Sequence, residues 1–292
     1  MNNDRRFAVL IDADNISDKY IKTILDELAA EGEVTYKRIY GDWTKPALAP
    51  WKKVLLEYSV TPIQQYSYTT GKNATDSAMI IDAMDILYSG NVDGFCLVTS
   101  DSDFTRLASR LRESGMMVIG MGEHKTPKAF TSACNKFKYL DILSGKLSKA
   151  PEKAAKAAKA AKATKPEKPV KDAKKKAVKH AKPEVKEEIK EEIKEDILDI
   201  AKEEPEETIT PLSAIMASLV GILREGSDED GWVSTSDLGN KLLKRYSDFD
   251  VRNYGFTRLT PFLKSLKGFE MKSVRNENSN VKQVYLREEQ QD

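Results

Sequence analysis

Two apolar runs that end in acid limit the fold of this chain more than any other feature. The run FAVLI, residues 7–11, carries no polar side chain and passes directly into Asp12, Asp14 and Asn15. A second run, FCLV at 95–98, continues through Thr99 and Ser100 into Asp101 and Asp103. Continuous apolar runs suit parallel strands covered on both faces. In an open α/β sheet, ligands gather beyond the carboxyl ends of the strands. If the two strands are neighbours, Asp12, Asp101 and Asp103 meet at that edge. A third stretch, ATDSAMIIDAMDILYSG, carries Asp76 in the first turn of an apolar helix.

The first half of the chain alternates two periodicities. Strands are predicted near 7–11, 33–40, 62–66, 95–99 and 117–121. Helices are predicted near 17–30, 46–59, 76–89, 103–113 and 127–134. Such alternation implies an α/β domain with a parallel sheet and right-handed crossovers. Ser17 and Thr75 are of the type that caps helices. Residues 137–143 add an edge strand or a short helix.

Composition breaks at about residue 145. The segment that follows is alanine, lysine and proline, and then an acidic stretch with Val185, Ile189, Ile193, Ile197 and Ile200 at helical spacing. The first part cannot bury a core and is expected to be a flexible arm. The second is either a solvated helix or a docking helix. These opposite blocks lie within a chain of 47 basic and 46 acidic residues, so the net charge of +1 conceals a strong segregation. From about 208 a second unit reads helix, short strand, helix, helix and hairpin, a small winged-helix-like α+β domain. The expected domains are 1–145, a charged linker at 146–207, and 208–292. The linker composition suggests that the two domains are mobile.

Clustered carboxylates suit hard divalent cations, which take oxygen ligands. A cation held there can polarise a phosphoryl oxygen and activate water. Asp12, Asp76, Asp101 and Asp103 are the expected catalytic and metal-binding residues for a hard divalent cation such as Mg²⁺. Any one of them alone also suits a turn or a helix cap. It is the constellation that points to a site. Two histidines and two cysteines in 292 residues make a Ser-His-Asp set, a Cys-His set or a structural zinc site a poor fit. Asp82 and Asp85 are read as solvent-side residues of the Asp76 helix, Asp82 with a weak outer role. Lys37, Arg38, Lys45, Lys72 and Asn73 are expected near substrate phosphates. In the second unit, Arg252, Tyr254 and Arg258 combine charge with an aromatic ring, as nucleic-acid surfaces do, although its aromatics equally suit a core.

The motifs VLIDADNI, TDSAMIIDAMDILYSG and LVTSDSDFTRLASRLRESGMMVIGMG resemble the NYN domain family, the PIN-like group that includes LabA-like (DUF88) proteins. The resemblance covers roughly residues 5–143. It implies a PIN-like Rossmannoid fold and a Mg²⁺- or Mn²⁺-dependent ribonuclease site, with Asp14, Asn15 and Ser100 in supporting positions. LGNKLLKRYSDFDVRNYGFTRLTPFLKSLKGFEM resembles an OST-HTH, or LOTUS, domain, which implies RNA binding or protein docking. The expected function is an endoribonuclease whose C-terminal domain and lysine-rich arm recruit RNA. The alternative is a non-catalytic RNA-binding scaffold. A protein partner would act through the C-terminal domain or residues 184–204. Two cysteines too few for a disulfide framework, with Cys96 read as a buried thiol, the absence of a secretory leader and the lack of any apolar run of about 20 residues lead to an expected cytoplasmic protein with no membrane contact.

Overall fold

The structure is a computed structural model, and it describes residues 5–66, 74–145, 209–226, 231–275 and 282–289. The lysine-rich and acidic segments, and with them residues 184–204, lie outside the described residues.

Six strands form one parallel sheet: β1 (Arg6–Asp12), β2 (Glu33–Gly41), β3 (Thr61–Gln64), β4 (Gly94–Val98), β5 (Met117–Gly122) and β6 (Lys136–Tyr139). Their order is β3-β2-β1-β4-β5-β6. The order reverses between β1 and β4, and a reversal of this kind opens a crevice at the carboxyl ends of those two strands. Register sets Phe7 opposite Gly94 and Ile11 opposite Val98, so the residues that follow both runs leave the sheet side by side.

The helices are α1 (Ile21–Ala29), α2 (Trp51–Tyr58), α3 (Ala74–Ser89), α4 (Thr105–Glu113), α5 (Lys128–Ala133) and α6 (Leu140–Leu143). Side chains alternate along each strand, which divides the core in two. Ala8, Leu10, Phe95, Leu97 and Val118 pack with α3, α4 and α5 on one face. Phe7, Val9, Ile11, Cys96, Val98 and Ile119 pack with α1 and α2 on the other. Both faces are apolar, and this is why the strands read as unbroken runs. Residues 137–143 supply both alternatives anticipated for them: β6 extends the edge, and α6 follows it.

The C-terminal part contains α7 (Leu212–Gly226), α8 (Thr235–Arg245) and α9 (Leu259–Ser265). Its antiparallel sheet has the order β7 (Val233–Ser234), β9 (Lys282–Glu288), β8 (Phe269–Arg275). Ser234 caps α8 by accepting the Asp237 N–H. Ile215, Leu219, Leu238, Leu242, Phe262 and Leu286 form its core. Helices plus a hairpin wing reproduce the expected winged-helix arrangement. No helix among the described residues is long and apolar enough to cross a membrane.

The linker composition alone suggests that the two parts move freely, but they belong to one compact unit. The exposed edge of β6 is partly used in the contact. The Phe137 N–H donates to the Ser247 carbonyl at 2.7 Å, and the Ser247 hydroxyl donates to the Thr131 carbonyl at 2.8 Å. Beside them, Arg252 donates from both terminal nitrogens to the two carboxylate oxygens of Glu27, at 2.6 and 3.0 Å. Lys138 reaches the same carboxylate at 2.9 Å. Burial pushes the Glu27 carboxyl up, but bonds from Arg252 and Lys138 outweigh it and bring the pKa down from 4.5 to about 2. Because the folded value is depressed, this contribution to stability is present above pH 4.5 and is lost as pH falls toward 2. Arg252→Ala is expected to cost about 2 kcal/mol at neutral pH and to flatten the acid limb, as measured by thermal denaturation from pH 7 to pH 3.

Candidate metal centre

Asp12 closes β1 and is 1% exposed. Its carboxylate accepts three bonds: from the Asp14 N–H at 3.1 Å, Asn15 Nδ2 at 2.6 Å and the Thr99 hydroxyl at 2.9 Å. Burial holds its pKa above the usual carboxylate value, and the bonds from Asn15 and Thr99 offset this only in part. Thr99 in turn accepts the Asp101 N–H at 3.1 Å. This one hydroxyl therefore ties the ends of the two central strands together. Gly122, at the end of β5, lies against the same turn. A Cβ there would come within 2.6 Å of the Thr99 carbonyl and 3.1 Å of the Ser100 hydroxyl, so the close approach requires glycine.

After β4 the chain enters a short 3₁₀ turn, residues 102–104. Asp101 caps it by accepting the Asp103 N–H at 2.9 Å through Oδ1. Asp76, in the first turn of α3, faces this turn. One ligand oxygen from each of Asp76, Asp101 and Asp103 lies within 4.8 Å of the others. Asp12 lies outside this group of three, but its charge acts most strongly on Asp76, and its carboxylate also accepts from Asn15, Thr99 and Asp14. The Asp76 carboxyl is pushed up from 3.8 to about 6, first by burial and then by the charges of Asp12, Asp101, Asp103 and Asp14. Converging oxygens with mutually repelling charge fit a hard divalent cation.

Two anchors align α3 so that Asp76 reaches the group. The Thr75 hydroxyl donates to Asp14 Oδ2 at 3.1 Å. It binds the loop after β1 rather than capping its own helix. Asp82 accepts from the Arg38 guanidinium and the Tyr40 hydroxyl, both on β2. The sequence reading had Asp82 as a solvent-side residue, but its side chain is 18% exposed and locks α3 to the sheet. The partners lie 42 and 44 residues away, and so no helical spacing signals them.

The remaining expected residues divide by place. Asn15 and Asp14 adjoin the group, and Lys45 Nζ sits 3.4 Å from Asp14 Oδ1. Ser100 accepts the Glu123 N–H at 2.9 Å and so ties the β4 and β5 turns together. Arg38 is committed to Asp82, whereas Lys37 donates to the Tyr58 carbonyl on the other side of the sheet. Arg252 is engaged by Glu27 and Asp250. The Tyr254 hydroxyl donates to the Thr210 carbonyl, and its ring packs on Phe249 and Phe262, a core role. Arg258 is exposed. Lys72 and Asn73 lie outside the described residues. Thr99, with its bond to Asp12, was not singled out from sequence. The only signal for it was a hydroxyl at the end of an otherwise apolar strand.

A raised carboxyl pKa means that the Asp76 contribution to stability is present below pH 3.8 and is lost as pH rises through about 6. Asp76→Asn is therefore expected to raise the melting temperature of EDTA-treated protein at pH 7.5, with the gain vanishing by pH 4. Scanning calorimetry at the two pH values checks both the sign and the window.

Comparison with known proteins agrees with the motifs. The NYN domain model matches residues 6–141 and the OST-HTH/LOTUS domain model residues 210–281. No curated protein matches the chain. Among solved structures, a protein of unknown function from Vibrio parahaemolyticus is similar at 18% identity and a TM-score of 0.41, over 48% of this chain and 96% of that one. Residues 6–141 are thus similar to NYN domains, and residues 210–281 are similar to OST-HTH/LOTUS domains.

Proposed function

We propose that the chain is a metal-dependent endoribonuclease that hydrolyses RNA phosphodiesters at Asp76, Asp101 and Asp103, with Mg²⁺ or Mn²⁺ as the cofactor. The observation that carries this reading is the convergence of those three carboxylates within 4.8 Å, at the point where the strand order reverses. The match to the NYN and OST-HTH/LOTUS models supports RNA as the substrate class. A cation held by these acids would neutralise phosphoryl charge and lower the pKa of a bound water.

The chain's own residues do the positioning. Asp101 is oriented by the Asp103 N–H on Oδ1, so Oδ2 is left for a ligand. Asp12 holds Asn15 and Thr99, and Thr99 holds the Asp101 backbone. Asp14, drawn toward Lys45 and Thr75, keeps the start of α3 beside the group. No covalent nucleophile is needed, in keeping with two deeply buried cysteines whose thiols are pushed well above their usual pKa. Free thiols of this kind also support a cytoplasmic location.

Purified protein is expected to cleave end-labelled RNA with Mg²⁺ or Mn²⁺ and not with EDTA, and Asp101→Asn is expected to abolish cleavage while RNA binding is retained. Thr99→Ala, which removes the support behind the ligands, is expected to lower activity about 10- to 100-fold. If wild type and Asp101→Asn bind RNA equally and neither cleaves with any divalent cation, the scaffold reading replaces this one.

A further inference from the structure

A cleft of about 670 Å³ lies where α8 of the C-terminal part faces α4 and α5. Its charge is lopsided. Arg112, Lys128, Lys136, Lys244 and Arg245 line it, against a single carboxylate, Asp248. Asp248 offsets one of these charges at most. It is 5% exposed, and its two oxygens accept the Thr210 N–H and hydroxyl, both at 2.7 Å. Lys136 is neutralised by Glu31 at 2.7 Å. The other four cations form no ion pair among the described residues. Arg112 is held in place without losing charge, because its Nη1 donates to the carbonyls of Ser132 and Ala133 at 3.3 and 3.1 Å.

Four unpaired cations around one concavity repel one another, and an anion with several charges relieves that repulsion. The surface between the cations is mixed, with apolar area from Met117, Pro211, Ala214, Leu243 and the Tyr246 ring beside Ser132, Asn135 and Ser247. Cations at the rim and apolar surface between them match a strand whose phosphates and unstacked bases are both accessible. A duplex, by contrast, hides its bases. Met117 pairs with Gly94 at the start of β4, and the acids follow Val98 at its end. Four strand steps, about 13 Å, therefore separate the Met117 end of the cleft from the carboxyl edge of the sheet.

We propose that this interdomain cleft is a second RNA site that grips the phosphate backbone of a single strand through Lys128, Lys244, Arg245 and Arg112, apart from the acidic centre. The proposal rests on RNA as the substrate class, but not on cleavage. Both domains contribute cations, so the site exists only in the docked chain. The Glu27–Arg252 contact therefore bears on RNA affinity as well as on stability.

The test is the affinity of the full chain for a fluorescein-labelled single-stranded RNA, read by anisotropy over a range of KCl concentrations with EDTA present. Lys128→Gln combined with Lys244→Gln removes two phosphate contacts on exposed side chains. It is expected to weaken binding and to lower the slope of log affinity against log salt by about 1.4, with an unchanged melting temperature. Lys22→Gln, on α1 across the sheet, is expected to leave the slope as it was. Affinity and slope unchanged in the double variant would overturn the proposal, as would an equal loss with Lys22→Gln. Polyglutamate that displaces RNA and loses affinity equally in the double variant would also overturn it, in favour of an acidic protein. Because EDTA suppresses cleavage, failure of the nuclease reading would show only in the cleavage assay and not in this one.

Discussion

Mutual repulsion among carboxylates at the carboxyl edge of the sheet is the constraint on which the rest of the α/β domain depends. Asp12, Asp76, Asp101 and Asp103 come from two strand ends and a helix, and the charges of Asp12, Asp101 and Asp103 add to burial in raising the Asp76 pKa. A fold that only needed stability would not collect them. The surrounding structure tolerates the charge by giving Asp12 three donors and by setting Thr99 between the two central strands. The apolar sheet behind supplies the stability, with both faces buried.

Placing the helix acid is the harder geometrical task. A strand acid is carried to the edge by register alone, whereas Asp76 depends on how α3 lies across the sheet. Two bonds at separate points settle that. Thr75 holds Asp14 at the head of the helix, and Asp82 holds Arg38 and Tyr40 further along. Residues that look like surface polarity or substrate ligands are thereby consumed in aligning the site.

The C-terminal domain shows the same economy. Arg252 and Tyr254 combine charge and aromaticity as RNA-binding residues do, yet both are occupied. The guanidinium is held by Glu27 and Asp250, and the tyrosine by Thr210 and neighbouring rings. Arg112, Lys128, Lys244 and Arg245, on α4, α5 and the end of α8, line the cleft without an ion-pair partner among the described residues.

Local physics carried much of this into the sequence. Unbroken apolar runs marked β1 and β4 because both faces of the sheet are covered, and Asp-X-Asp at their ends marked the edge where ligands sit. The winged-helix elements were legible from helical and strand periodicity because one face of each packs on a small shared core. Thr99, Asp82 and Arg252 were not legible in their roles. Each depends on a partner tens to hundreds of residues away, and no periodicity encodes a long-range bond. Docking was also hidden, since composition reports the freedom of a linker and not the contacts its ends make. The sequence by itself determined the strands, the helices and the acids at their ends, because those follow from local pattern and burial. Only the tertiary structure decided which carboxylates converge and which cations stay unpaired, because both depend on distances between residues remote in the chain.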